Sequence, residues 1–319
     1  SSIDYYILRT GVAMNSSSHV FSGNPLDRGH RERRDEKWLL ETAGSPSSKF
    51  LLFYGSQVAL SQDQKKSLLW TNPEVMDDFN IQTTPIFLGL MNKQAHFVID
   101  AEKSNIPTKL LCSKFNCTFE EIRPAAEKVS KEEASIIAQA HSQLIWHQNT
   151  IYCSSCGSST SMRQGGQMRL CDNCNMEHFP RTNPVMIVLV SNGDYCLLGQ
   201  SHGRLANMNM YSALAGFIDQ GESIEEAVAR EVLEEAGIRV SEIKYHSSQP
   251  WPLPHSLMIG CHALADTTDI HKDEEEMIDV QWFHRNEILL ALNNSSKLLS
   301  IPGPTAIAHH LIKSWALRQ

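Results

Sequence analysis

The chain contains 319 residues, 41% of them hydrophobic, and its formal net charge is −8 at pH 7. This length predicts about two to three domains, and the apolar fraction is sufficient for well-packed cores. The sequence lacks the run of about 18 apolar residues that a transmembrane helix requires, and its acidic balance argues against a broad nucleic-acid-binding surface.

The first half of the chain carries no catalytic motif. Residues 1–18 end in serines and are predicted to form a disordered arm. Over 19–150, apolar runs between polar turns predict strands, and apolar residues at helical spacing predict a helix. We therefore expect an α+β domain with a structural role. Its predicted strands lie at 49–53, 85–90 and 95–99, and its predicted helix lies at 129–147.

Four of the eight cysteines form two CxxC pairs, which are separated by fourteen residues. Each pair presents two thiolates, and four thiolates complete the tetrahedral shell of one zinc ion without an open position. We therefore predict a zinc ribbon over 151–182 whose ion is structural. Two disulfides are the alternative, although nothing else in the sequence indicates an oxidising compartment. The predicted zinc ligands are Cys153, Cys156, Cys171 and Cys174.

The remaining residues, 183–319, alternate between strand and helix patterns. An apolar run at 184–190 predicts a central strand, and 195–199 is its expected hairpin partner across a Ser-Asn-Gly-Asp turn. Strands flanked by helices predict an α/β/α sandwich. The further strands are expected at 244–248, 256–265 and 278–283, and helices are expected from 285 onward and over 305–317.

The segment 216–238 reads GFIDQGESIEEAVAREVLEEAGI and predicts a helix that begins after Ser223 and ends at Gly237. Its glutamates Glu231, Glu234 and Glu235 lie at i, i+3 and i+4 and should therefore emerge on one face. Such carboxylates repel one another, and Mg²⁺ or Mn²⁺ relieves that repulsion. Metal ions in turn can activate a P–O–P linkage for hydrolysis. A solvated amphipathic helix is the alternative.

A proline-rich motif, SQPWPLPHS, occupies 248–256. Three prolines around Trp251 predict a stiff, extended loop that cannot join the interior of a sheet. Near a phosphate site, an indole and an amide would recognise a base or a ribose. A connector that packs its tryptophan into a core is the alternative.

The ribbon, the acidic helix, the proline-rich motif and the ending at 301–312 occur in the order that is typical of one family. Together they resemble the NADH pyrophosphatase branch of the Nudix hydrolases, a branch that also includes enzymes removing NAD caps from RNA. The acidic segment is similar to the Nudix signature at every fixed position. The resemblance runs from about residue 21 to the terminal helix, and it implies an N-terminal Nudix-like domain and a homodimer.

The resemblance also implies individual roles. Glu231 and Glu235 would bind two to three catalytic Mg²⁺ or Mn²⁺ ions, and Glu234 would act through metal or water. The Ala215 carbonyl and Glu276 would complete the metal shell, with the register at Glu276 open by one residue. Arg230 would pair with a glutamate such as Glu222 in a structural role. The dinucleotide would contact Phe179, which could instead be a packing residue, together with Gln249, Pro250, Trp251, Pro252, Leu253, Pro254, His255, Ser256 and Ala308.

These features predict an enzyme that hydrolyses NAD(H) to NMN(H) and AMP and that can also remove NAD from RNA 5′ ends, because the reacting linkage is the same. The alternatives are a Nudix hydrolase of ADP-ribose or diadenosine polyphosphate, and a catalytically silent module whose ribbon arginines bind NAD or nucleic acid. Two departures from the family pattern are Leu253 in place of phenylalanine and the segment 207–210 in place of a turn that commonly contains proline and glycine, although Asn209 in this segment can adopt a positive φ. The sequence does not distinguish cytosol, mitochondrion and peroxisome.

Overall fold

The computed structural model describes residues 19–202 and 209–318, so the arm predicted at 1–18 lies outside the described residues. The chain forms two compact units. The first unit extends to Arg181 and also contains Trp251–His255, and the second comprises Thr182–Pro250 and the residues from Ser256 onward. In the described part of the chain, no helix combines the length and the apolar character needed to cross a membrane.

The first unit contains a mixed sheet with helices on both faces. Strand β1 runs parallel to β5 and antiparallel to β2 and β3, and the strand order is β4-β5-β1-β2-β6. The three predicted strands and the long predicted helix are confirmed as β1, β4, β5 and α5. The strands are β1 (Lys49–Tyr54), β2 (Gln57–Ser61), β3 (Trp70–Thr71), β4 (Ile86–Met91), β5 (Gln94–Asp100) and β6 (Cys117–Glu121). The helices are α1 (Glu36–Ala43), α2 (Glu74–Asp78), α3 (Thr108–Phe115), α4 (Ile122–Lys128) and α5 (Lys131–Asn149).

The ribbon follows α5 within the same unit and forms a three-stranded antiparallel sheet. Short 3₁₀ turns lie at Glu32–Arg34, Glu102–Ser104 and Gln164–Gly166. The ribbon strands are β7 (Thr160–Arg163), β8 (Met168–Cys171) and β9 (Glu177–His178).

The second unit is the predicted α/β/α sandwich. Its strand order is β13-β14-β10-β11-β15, with β12 paired to β10. The apolar run predicted as a central strand is central, because alternate side chains of β10 enter the two cores on opposite faces of the sheet. One core includes α6 and the other includes α7 and α8. The strands are β10 (Asn183–Asn192), β11 (Tyr195–Ser201), β12 (Leu214–Phe217), β13 (Val240–Trp251), β14 (Ser256–Ala265) and β15 (Met277–His284), and the helices are α6 (Ile224–Ala236), α7 (Arg285–Leu292) and α8 (Ile307–Ala316).

The proline-rich motif corrects one expectation about local structure. Residues as far as Trp251 continue β13 instead of forming a loop, and the turn is confined to 252–255. Because β13 lies at the edge of the sheet, the missing N–H group of Pro250 does not deprive a neighbouring strand of a hydrogen-bond donor. The expectation that the motif avoids a sheet interior is therefore correct, and the expectation of a loop throughout is wrong. Residues 207 and 208 of the departing turn lie outside the described residues, and Asn209 adopts the left-handed conformation that asparagine tolerates, with φ 47°.

The two large sheets have the same topology. In each, a first strand pairs with its hairpin partner, with a short strand and with a later parallel strand, and the strand orders correspond one to one. Helix α2 therefore occupies the position of α6. Its Glu74, Asp77 and Asp78 repeat the i, i+3, i+4 spacing, and Asn80 takes the left-handed conformation (φ 49°) two residues after the last acid, as Gly237 does (φ 69°).

The repeated helix in the first unit is nevertheless unlike α6 in two physical respects. It has five residues against thirteen, and its Asp77 and Asp78 are exposed. Asp78 also forms an ion pair with Lys114. The first unit thus has the architecture of the second without the buried carboxylates, which agrees with the predicted Nudix-like domain.

Candidate functional site

Helix α6 is held at both ends by the local signals predicted from the sequence. The Ser223 hydroxyl accepts a hydrogen bond from the Glu226 N–H, and the Glu226 carboxylate accepts one from the Ser223 N–H at 2.7 Å. Gly237 closes the helix in the left-handed conformation. Its buried face consists mainly of Ala227, Val228, Val232 and Ala236. Leu233 follows Val232 at a position where helical spacing favours burial, but it is 51% exposed.

Arg230 joins the loop before α6 to the helix itself. Its Nε and Nη2 donate to the two carboxylate oxygens of Glu222 at 2.5 and 2.9 Å. Its Nη1 donates to Glu231 at 3.1 Å and to Glu234 at 3.0 Å, and its Nη2 also donates to the Phe217 carbonyl. The Arg230 guanidinium, with the Asp219 N–H, lowers the pKa of Glu222 to about 2. The structural pairing of Arg230 with Glu222 is thus confirmed.

Glu235 is the most perturbed carboxyl group of the site. It is 8% exposed, and its Oε2 is buried without a hydrogen-bond partner among the described residues. Burial, followed by the charges of Glu231, Glu276 and Glu234, raises its pKa to about 8. Burial also raises the pKa of Glu231, and the charges of Glu234 and Glu276 raise it further. These four glutamates therefore share one electrostatic environment, and Glu276 is the member of the acidic run 273–276 whose charge acts on both.

Gly216 brings the backbone of β12 against Glu231. A Cβ atom at this position would lie 2.1 Å from the Glu231 carboxylate, so only glycine permits this approach. Ala215 precedes it and pairs with Ile187 of β10. The spacing of the glutamates does not indicate a role for Gly216, but this glycine is a fixed position of the acidic segment, and that was the available signal.

The carboxylates of the glutamates are suitable ligands for a divalent cation, although they do not converge on a single coordination site in this structure. A buried carboxylate oxygen without a partner is the kind of ligand that a hard divalent cation takes. In the described part of the chain, however, the cysteines are the only set of three or more ligand atoms that lie within 4.8 Å of one another. Glu231 and Glu234 are instead directed to Arg230. A cation would therefore share these carboxylates with the Arg230 guanidinium.

The four cysteines of the ribbon do converge. Sulfur atoms of opposite knuckles are 3.7 Å apart for Cys153 and Cys174 and 3.5 Å apart for Cys156 and Cys171. A tetrahedron with metal–sulfur bonds of about 2.3 Å has edges of roughly 3.8 Å, so the arrangement fits one zinc-sized ion. Backbone N–H groups of Ser155, Asn173 and Cys174 donate to these sulfurs at 3.4 Å. All eight cysteines, which lie in the described residues, are free, so the two-disulfide alternative is wrong.

Hydrogen bonds from Ser158 and Asn173 lower the pKa of the Cys156 thiol to about 5. A lowered thiol pKa favours the thiolate, which is the form that binds metal. The ribbon therefore offers at least one pre-formed anionic ligand.

Two cationic side chains, the buried Arg33 and the half-buried Arg169, attach the ribbon to the rest of the first unit. The Arg33 guanidinium stacks on Phe87 and donates to the carbonyls of Phe87, Gln164 and Gly165. Arg169 donates to the Nδ1 of His147 at 3.2 Å, so this nitrogen is the acceptor and Nε2 carries the proton donated to the Gly166 carbonyl. Arg169 therefore attaches the ribbon to the first unit. This argues against the alternative in which the ribbon arginines, Arg169 among them, bind nucleic acid.

The proline-rich segment divides between inward and outward groups. Gln249 is fully buried, and its amide joins β13 to α8 by donating to the Thr305 carbonyl and accepting from the Ile307 N–H. Trp251 packs edge-on against Phe21 and lies under the Arg123 guanidinium. This supports the packing alternative for the tryptophan. Leu253 is 43% exposed, and Pro250, Pro252, Pro254, His255 and Ser256 complete the segment.

The last two predicted contact residues have opposite environments. Phe179 follows β9 and is 63% exposed, so it does not serve as a packing residue. Ala308 lies in the first turn of α8 with its side chain buried in the core of the second unit. Any contact of Ala308 with a ligand would therefore involve its backbone.

Comparison with known proteins places this geometry in a family. The model of the NUDIX domain matches residues 180–300, and that of the NADH pyrophosphatase-like rudimentary NUDIX domain matches 47–146. The NAD-capped RNA hydrolase NUDT12 of Homo sapiens is 35% identical over 93% of this chain and 73% of its own length. Nudix hydrolase 19, chloroplastic, of Arabidopsis thaliana is 38% identical over 95% of this chain and 87% of its own. The mitochondrial NAD(P)H pyrophosphatase NUDT13 of Mus musculus is 35% identical over 72% of this chain and 70% of its own.

Proposed function

The chain belongs to the Nudix hydrolase family, and from this membership we propose that it is a metal-dependent diphosphatase that splits NAD(H) into NMN(H) and AMP. The observation that carries the proposal is the buried, unpartnered carboxylate oxygen of Glu235 beside Glu231. A negatively charged diphosphate can approach such a cluster only if cations lie between them. The relatives' names indicate NAD-capped RNA and NAD(P)H as the substrate classes.

We propose Mg²⁺ or Mn²⁺ as the catalytic ions, held by Glu231, Glu234, Glu235, Glu276 and the Ala215 carbonyl. When bound, such cations would supply positive charge to neutralise the charge that develops on the diphosphate, and they would lower the pKa of a water molecule. Glu231 and Glu235 would serve as direct ligands, because both are largely buried beside β12. Glu234 is more exposed and remains accessible to water, so it is a candidate to accept the proton of the attacking nucleophile.

We propose that the dinucleotide contacts Phe179, the segment Gln249–Ser256 and the start of α8. The exposed ring of Phe179 offers a surface on which a base could stack. Gln249 would act indirectly, since its amide sets the position of α8 and hence of the Ala308 backbone. Trp251 would fix the shape of the loop, and Leu253 would present the apolar contact.

We propose zinc as the ion of the four cysteines, one per chain, with a structural role. Full coordination by four thiolates leaves no position for a substrate or a water.

We also propose a homodimer. Exposed apolar side chains on and beside the ribbon support an assembly surface there, and they are Ile151, Tyr152 and Met176. Size-exclusion chromatography with light scattering tests the proposed dimer.

Product analysis by liquid chromatography tests the function. Purified protein is incubated with NADH, NAD, ADP-ribose and an NAD-capped RNA, with Mg²⁺ or Mn²⁺, beside Glu235→Gln. We expect NMNH and AMP from NADH, and NMN with 5′-monophosphorylated RNA from the capped RNA, with little product from the variant. A higher kcat/KM for ADP-ribose than for NADH would favour the other class of Nudix substrate. An absence of turnover with every substrate would overturn the enzymatic proposal.

A further inference from the structure

The turn of the proline-rich motif has few backbone donors with which to hold its own shape. Pro250, Pro252 and Pro254 lack N–H groups, so every second residue of the segment offers only a carbonyl acceptor. Pro252 is buried, so its carbonyl requires a donor from elsewhere in the chain, whereas Pro254 is exposed and a donor to its carbonyl competes with water. These donors determine whether the loop has one conformation or several.

Two adjacent side chains of α5 supply them. His141 Nδ1 is 2.7 Å from the Pro252 carbonyl oxygen, and the Ser142 hydroxyl donates to the Pro254 carbonyl at 3.1 Å. A carbonyl oxygen only accepts, so Nδ1 of His141 carries the proton. His141 is itself buried, and its position 111 residues from Pro252 makes the bond a tertiary one.

The same face of α5 also packs beneath Trp251. Ala138 and Ala134 lie one and two turns before His141, and they form an apolar cluster with Phe21 against which Trp251 packs. The small alanine side chains admit the indole, and the Arg123 guanidinium lies 5.6 Å from its ring centroid. The helix therefore holds both the aromatic side chain and the two carbonyls that follow it.

We propose that His141 and Ser142 are positioning residues for dinucleotide binding, through which the rudimentary Nudix domain fixes the conformation of the substrate loop 251–255. The inference rests on the proposed function, because it assumes that this loop contacts NAD(H). It assigns a task to a domain that has no catalytic motif. With Trp251 packed against Phe21 and the Pro252 and Pro254 carbonyls bonded to α5, Leu253 is the apolar side chain that the loop presents to solvent.

Steady-state kinetics with NADH test this assignment. His141→Leu removes the donor, and His141→Asn restores one, because the amide nitrogen of asparagine takes the place of Nδ1. Losing one such buried hydrogen bond corresponds to roughly a fivefold to tenfold change in affinity. We therefore expect KM to rise about fivefold to tenfold in His141→Leu with kcat within about twofold, and to return most of the way in His141→Asn. Ser142→Ala should raise KM about threefold.

Ser135→Ala is the matched control for Ser142→Ala, since the Ser135 hydroxyl of the same helix bonds within the helix, to the Glu132 carbonyl. Hydrogen exchange of the peptide covering 246–257, followed by mass spectrometry, should accelerate in His141→Leu and Ser142→Ala and not in Ser135→Ala. Wild-type protein without NADH turnover would reject the proposed function. If the wild type turns over NADH, two results would overturn the positioning role. One is an unchanged KM in His141→Leu, and the other is an equal loss of kcat and stability in His141→Leu with no recovery in His141→Asn.

Discussion

Arg230 determines the charge balance of the candidate site at the scale of single residues. One guanidinium contacts Glu222, Glu231 and Glu234 and leaves Glu235, which has no cationic partner in the described residues, as the site's buried acid. The spacing of the glutamates and the pairing of Arg230 were predictable, because both are local. The burial of Glu235 was not, because it depends on the sheet against which α6 packs.

Replacing Glu235 should separate activity from stability. In Glu235→Gln we expect kcat/KM to fall at least roughly a hundredfold, since the loss of a metal ligand should exceed the loss of a residue that only supports one. Without divalent metal, the variant should be at least as heat-stable as the wild type, because it no longer buries an ionisable carboxyl group. Melting temperatures in EDTA and in Mg²⁺ check this. A variant that keeps its activity would contradict the role of Glu235.

Gly216 allows a second residue-scale prediction. A methyl group at 216 would overlap the Glu231 carboxylate, so Gly216→Ala should displace this ligand and lower kcat at least tenfold while the fold persists. Gly303→Ala is the matched control, because an added Cβ there meets no atom within 4 Å. Kinetics with NADH and circular dichroism distinguish the outcomes. Equal activities of the two variants would show that Glu231 does not depend on this close approach.

Among the elements, the ribbon depends for its attachment on residues outside the cysteine motif. The cysteine spacing predicted its metal chemistry, whereas Arg33, His147 and Arg169, which attach it, follow no recognisable motif. Burial, with the nearby Arg169 charge, lowers the pKa of His147 to about 4, against an ordinary value of 6.5, despite the opposing effect of its bond to Gly166. His147 is therefore neutral in the folded ribbon attachment.

This shift predicts acid sensitivity. The folded pKa lies below the unfolded one, so the stabilising contribution of His147 is complete above about pH 6.5 and declines as the pH falls towards 4. The decline should amount to about 3 kcal/mol at most. His147→Gln keeps a donor for the Gly166 carbonyl and does not titrate. Thermal unfolding between pH 7 and 4.5 should therefore show a weaker pH dependence in the variant. Parallel curves would contradict the assignment.

The ribbon's cysteines carry a further element-scale prediction. We expect one zinc ion per purified chain by plasma mass spectrometry, and less than half of that in Cys156→Ser. The ribbon should lose its protection from proteolysis in the same variant, because its small sheet has few apolar residues to hold it without metal. Cys196→Ser, at a buried cysteine of the second unit, is the control for general destabilisation. Full zinc occupancy in Cys156→Ser would contradict tetrahedral coordination by the four thiolates.

The whole molecule has one architecture used twice, with the carboxylate cluster present in only one copy. The family resemblance predicted a Nudix-like first domain, but the periodic pattern of the chain alone does not give its strand order, because β3 and α2 are too short to produce a clear pattern. The net charge of −8, by contrast, follows from composition alone. An acidic molecule should recognise the NAD terminus of a capped RNA and make few contacts with the phosphates of its body.

The salt dependence of hydrolysis checks this expectation. Between 50 and 200 mM salt, kcat/KM for an NAD-capped RNA should fall less than about tenfold and should follow the dependence for NAD. A protein that contacts six to ten phosphates would lose roughly 10³ to 10⁵ in affinity over the same range. RNAs of different length with the same cap provide the control. A loss that grows with RNA length would indicate a binding surface for the RNA body.

The sequence by itself determined the features that depend on spacing within a few residues. These are the caps and glutamate face of α6, the two cysteine knuckles, the central β10 strand and the ordered motifs that identify the family. Only the tertiary structure decided which carboxyl group is buried, which ribbon arginine faces inward, and that His141 and Ser142 hold a loop more than a hundred residues away. The reason is physical: turns and helix faces follow from neighbouring residues, whereas desolvation and the donors for distant carbonyls arise only when separate elements pack together.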